Sequence, residues 1–122
     1  PDFPENERLA IALSDDTPHA ASTLLKQVEK HHWDNIVFER VESGAIEARS
    51  QQATASPMLE FIEPSRGCNE IGSVALRQEE EHDVVFLSLR INMVQGIPTG
   101  DTEVCIGKVV AGLTLLDSRA RK

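Results

Sequence analysis

The stretch Phe38-Glu39-Arg40-Val41-Glu42-Ser43-Gly44 decides how this chain reads. Its first half completes a predicted strand over residues 36–41, Gly44 marks a turn, and residues 45–50 predict a second short strand. An arginine therefore stands inside a strand that leads into a tight reversal. The other informative stretch is Cys105-Ile106-Gly107-Lys108-Val109-Val110-Ala111-Gly112, most of which belongs to a last predicted strand over residues 103–110. Each segment is ordinary by itself. Their order, after Thr17-Pro18-His19-Ala20-Ala21, is what carries information.

Working outward, residues 1–7 are polar and contain proline, and read as an irregular lead-in. Residues 8–13 are strand-sized and apolar. Asp15-Asp16-Thr17-Pro18 predicts a helix start, because Asp or Thr caps free amides and proline fits the first turn. The helix should bury Ala21, Leu24, Leu25 and Val28, spaced i, i+3, i+4, i+7, and end near Lys30-His31-His32. Residues 51–67 are the least readable, with a strand candidate at 58–62 and turn chemistry at Pro64-Ser65-Arg66-Gly67. Residues 72–76 and 84–89 predict strands, 78–83 a charged loop, 96–100 a loop, and 113–118 a helical turn or two. Many short strands with one good early helix predict a β-barrel or sandwich with accessory helices, in a single domain over residues 1–122.

At 122 residues the chain can hold a real core without a metal or disulfide staple. Its composition is that of a globular protein, 40% hydrophobic and 26% charged, and no apolar run approaches the ~18 residues of a spanning helix. Twenty acidic against 12 basic residues give a net charge of −8, which argues against nucleic acid and fits docking on a basic protein surface. The basic cluster Arg119-Ala120-Arg121-Lys122 reads as a solubilising tail. Cys68 and Cys105 lack CxxC spacing and leave two readings, a pair in an oxidising lumen or two unrelated thiols; the second is the simpler. The chain begins at Pro1, which reads as a processed or trimmed product and leans localisation toward an organelle or secretory lumen.

The element order resembles the cyclophilin family of peptidyl-prolyl isomerases over about residues 8–118. The family's F-H-R-V-x-x-G-F-x-x-Q-G-G strand pair is similar to Phe38 through Ser50, with Phe38, Arg40, Val41 and Gly44 matching. Ala45, Ile46 and Ala48 replace the pocket phenylalanine, methionine and glutamine. Gln78 takes the place of the asparagine that holds the substrate backbone, and Phe86 matches the second aromatic of the family's Q-F-F-I strand. Glu103 stands where the proline-pocket histidine is expected, three residues before Ile106-Gly107-Lys108-Val109. The resemblance implies a mainly β fold with helices, a cyclophilin-like antiparallel barrel left incomplete at about six strands. One prominent helix in the N-terminal half and a short C-terminal helix accompany it.

Turning an X-Pro bond faces a barrier of ~18–20 kcal/mol, set by amide resonance. In the resembled family an arginine hydrogen-bonds the twisting amide while an apolar and aromatic floor holds the ring. The resemblance makes Arg40 the catalytic donor if the chain is active, with Ile46, Gln78, Phe86 and Glu103 as substrate-binding positions. Glu103 is also placed to occupy Arg40; a structural arginine pairing with Glu39, Glu42 or Glu103 is the alternative for Arg40. The losses favour a protein-interaction domain in a larger assembly without significant isomerase activity. A weak isomerase using Arg40 and a proline-peptide binder without catalysis stay open.

In the resembled barrel, two further strands lie between those matching residues 8–13 and 36–41, and neither has room here. Those two edges are therefore expected to be open and to serve a protein partner. No cofactor and no metal is expected: His31-His32 with Asp34, and His82 beside Glu79-Glu80-Glu81 and Asp83, have no recognised ligand spacing. Trp33 reads as a packing residue.

Overall fold

A computed structural model describes residues 9–34, 36–41, 44–50, 69–82, 84–96 and 103–119. Strand β1 (Ala10–Leu13) leads into helix α1 (Pro18–Glu29), followed by β2 (Glu39–Val41), β3 (Ala45–Arg49) and β4 (Ser73–Glu81). Strands β5 (Val84–Asn92) and β6 (Glu103–Ala111) complete the sheet before helix α2 (Leu113–Arg119). The six strands form one antiparallel sheet in the order β1-β6-β4-β5-β3-β2. It is open: β1 pairs with β6 alone and β2 with β3 alone among the described residues.

Alternation explains the core. In antiparallel register, paired residues share a face and successive residues change face. Ile46, Leu89 and Leu76 thus fall on one face with Val74, Leu87, Ile91, Val104 and Ile106. Seven of these eight are completely buried, and Leu89 is 7% exposed. Ala20 and Leu24 of α1 and Leu116 of α2 join this cluster, so both helices contribute to the same side of the sheet.

Helix α1 departs from its expected stripe. Ala20, Ala21, Leu24 and Gln27 are buried, while Leu25 and Val28 are each 49% exposed. The small alanines let the helix approach the sheet closely, and Gln27 goes inward because its Oε1 accepts a hydrogen bond from Trp33 Nε1 at 2.9 Å. Trp33 itself packs against the core cluster. Proline stands in the first turn as expected, but Thr17 at the N-cap does not cap the helix through its side chain. Thr17 is fully buried and its hydroxyl lies 3.5 Å from the Cys105 carbonyl oxygen of β6, tying the helix start to the sheet instead.

The expected charged loop over 78–83 is also corrected. Residues up to Glu81 belong to β4, with Gln78 opposite Leu87, Glu80 opposite Val85, and Glu81 opposite Val84. Eight ladder pairs with the apolar strand β5 outweigh the weak strand propensity of the Glu run. Glu81 and Val84 still pair, and His82, directly after the strand, takes φ 52°. Strand β2 is shorter than residues 36–41, since only Glu39–Val41 form ladder pairs. The candidate strand at 58–62, the turn at 64–67, the lead-in at 1–7 and the basic tail at 120–122 lie outside the described residues. Cys105 takes part in a disulfide, which corrects the reading of two unrelated thiols; the chain's other cysteine, Cys68, lies outside the described residues. No described helix is long and apolar enough to cross a membrane.

Candidate functional site

The sheet register separates residues that the sequence placed in one pocket. Arg40 pairs with Ile46, and Ile46 pairs with Ile91, so these share the helix-covered face. Gln78, opposite Leu87, is on that face too. Phe86 is one residue from Leu87 along β5 and therefore points to the outer face, as does Glu103, which pairs with Arg77 opposite Ser88. Arg40, Ile46 and Gln78 thus lie on one side of the sheet, with Phe86 and Glu103 on the other. Ile46 is fully buried in the core.

Arg40 has a partner other than those expected. Its Nη1 lies 2.7 Å from Asp117 Oδ1 in α2, and its Nη2 donates to the Asp117 main-chain carbonyl. A guanidinium at the last turn of a helix meets unsatisfied carbonyls and the negative end of the helix dipole. Both side chains are partly exposed, at 34% and 55%. Neither Glu39 nor Glu103 takes this role; Glu42 lies outside the described residues.

Glu103 is instead half of a buried pair. Its Oε1 lies 3.0 Å from Arg90 Nη1, with side-chain exposures of 6% and 12%. The contact crosses β4, where Ala75 is opposite both Arg90 and Cys105 and is small enough to leave room. The Nε and Nη2 atoms of Arg90 are buried without a hydrogen-bond partner. Sequence reasoning missed Arg90. The available signal was parity: residues 86, 88 and 90 alternate with the apolar Leu87, Leu89 and Ile91, which assigns Arg90 to the face opposite the core.

Phe86 is covered as well. The Arg49 guanidinium carbon lies 4.1 Å from the ring centroid, and Arg49 also reaches Glu79 at 3.8 Å and Glu81 at 3.5 Å. Glu79 in turn accepts from Arg77 at 2.7 Å. The aromatic face that a proline ring would need is thus held under a cation fixed by two carboxylates.

Beside these groups the outer face opens into a groove of about 480 Å³ along β2 and β3. Glu39, Glu47 and Glu79 line it with Arg49, and Val37 and Val41 supply apolar wall. Elsewhere, His31 Nδ1 and Asp34 Oδ2 are 2.9 Å apart on the surface, and His82 Nε2 is 3.9 Å from Glu81 Oε1. No group of three metal-ligating side chains is found among the described residues. No protein-family model matches the chain, and no curated protein matches its sequence.

Proposed function

We propose that this chain is a degenerate cyclophilin-like domain that acts in protein interaction, as a subunit of a larger assembly, without significant isomerase activity. The observation that carries this reading is the split of the chemical groups across the sheet. Isomerisation requires a donor and a ring-holding floor on the same substrate atoms at once. Here the donor, Arg40, is engaged by Asp117 on the helix-covered face, while Phe86 lies on the other face beneath Arg49. The resemblance of the ordered strands, the Phe38-Glu39-Arg40-Val41 strand and Gly107-Lys108-Val109 supports the scaffold's ancestry. Among the described residues the edges of β1 and β2 have no further strand beside them, which supports contact with another chain.

A protease-coupled assay on a proline-containing peptide tests the reading. The expected result is no acceleration over the uncatalysed rate by the unmodified chain or by Arg40→Ala. Clear turnover that disappears in Arg40→Ala overturns it in favour of a weak isomerase. Saturable binding of the same peptide without turnover assigns the chain to proline-peptide capture instead.

A further inference from the structure

We infer that Cys105 is a thiol–disulfide exchange site, at which a dithiol reductant releases the Cys105 sulfur as a thiolate held by Arg90. The observations lie in the middle of the outer face, around Ala75.

Ala75 pairs with Arg90 of β5 on one side and with Cys105 of β6 on the other, so the three side chains rise from one face in a single row. Ala75 is 1% exposed, and its methyl leaves the space above β4 to the longer arginine. Arg90 crosses that space. Its Nη1 lies 3.0 Å from Glu103 Oε1, and Glu103 stands two residues before Cys105 on the same face of β6. The guanidinium is thus carried over β4 to the strand that holds the cysteine.

Arg90 arrives there with unused donors. Its Nε and Nη2 are buried and have no hydrogen-bond partner. Arg77, opposite Glu103 and diagonal to Cys105, brings a second guanidinium. Glu79 takes the Nη2 of Arg77, while its Nε is also buried without a partner. Glu103 accepts from Nη1 of Arg90, and Glu47 is the neighbour of Arg90 on the side away from Cys105. Buried donors without an acceptor are costly. A disulfide sulfur is a weak acceptor, whereas a thiolate carries a full charge and accepts strongly. Reduction therefore creates, in the row of Arg90, the anion that its free N–H groups lack.

The exchange balances. One thiolate of the dithiol attacks the sulfur bonded to Cys105, and the electron pair of the broken S–S bond leaves on Cys105 Sγ. The second thiol of the reductant loses its proton and displaces the other protein sulfur, which takes up a proton. Two electrons pass to the protein, and the dithiol becomes a disulfide. As the leaving sulfur, Cys105 does not have to meet the reductant, which suits its partly buried position. A leaving group stabilised as an anion departs faster and favours the reduced chain.

Equilibration with mixtures of reduced and oxidised dithiothreitol at neutral pH tests this, with the oxidised fraction read by alkylation and mass spectrometry. The unmodified chain should pass from disulfide to thiols within the range of mixtures. Arg90→Met/Glu103→Leu removes the donors together with their carboxylate, and should shift the equilibrium roughly tenfold toward the disulfide. Arg90→Lys keeps a cation for Glu103 but loses Nε and Nη2, and should shift it the same way. Cys68→Ser leaves Cys105 as the chain's one cysteine. Its ultraviolet thiolate absorption should be present at neutral pH and fall when Arg90→Lys is added. Circular dichroism checks each fold: Arg90→Lys decides if the double variant does not fold, and the equilibrium decides if Cys68→Ser does not. An equilibrium unmoved by either Arg90 change, a shift toward the thiols, or no thiolate in the folded Cys68→Ser chain overturns the inference. A disulfide that resists every mixture also overturns it, leaving a permanent staple.

Discussion

At the scale of single residues, the positions that resemble a catalytic pocket have been drawn into structural contacts. Glu103 is the clearest case. The Arg90 guanidinium is 88% buried by side chain, and without the 94% buried Glu103 carboxylate it would be left an uncompensated buried charge. Glu103→Ala is expected to destabilise the fold by about 3–5 kcal/mol. The Arg90→Met/Glu103→Leu double variant should recover most of that loss, since apolar groups of similar volume replace a costly desolvated pair. Urea denaturation of the single and double variants measures both. Equal destabilisation in the two would show that the pair contributes through shape and not charge. Arg40 differs in magnitude, for its pair with Asp117 is partly exposed and screened by solvent. The arginine was legible as the one residue in position to do chemistry. Its partner was not, because residues 77 apart in sequence meet only through the packing of α2.

At the scale of elements, the close approach of β1 to β6 depends on one glycine. A Cβ at Gly107 would collide with the main-chain carbonyl of Ala12 and crowd Leu13. Backbone cannot swing aside as a long side chain can. Gly107→Ala should therefore cost about 1–3 kcal/mol by overpacking and loosen β1. Amide exchange in Ala10–Leu13 should accelerate more than in β4 and β5. Unaltered exchange in β1 would mean that β6 shifts instead. The same scale shows why α1 was readable as a helix but not in its orientation. Apolar spacing allows either Ala20 with Leu24 or Leu25 with Val28 to face inward. The contact of Gln27 with Trp33 and the burial of Thr17 against β6 select the first. The Glu run after Gln78 was read as loop because local propensity says so; pairing with β5 decided otherwise.

At the scale of the whole molecule, the sheet formed by the described residues is open at β1 and β2, and Cys105 of the interior strand β6 carries a covalent link. A cross-link limits the freedom of the unfolded chain. Reduction should therefore lower stability by about 2–4 kcal/mol, seen as a fall in the urea midpoint between oxidised and reduced samples. An unmoved midpoint would show that packing alone sustains the fold. By itself the sequence determined the succession along the chain of the described strands and the two helices, the acidic composition and the apolar interior. These follow from period, turn residues and composition, which act over a few neighbouring positions. The tertiary structure alone decided that Arg40 and Phe86 lie on opposite faces, that Glu103 is paired with Arg90, and that carboxylates line a groove along β2 and β3. The physical reason is register: a shift of one residue reverses the face of every side chain in a strand, and only pairing between distant segments sets it.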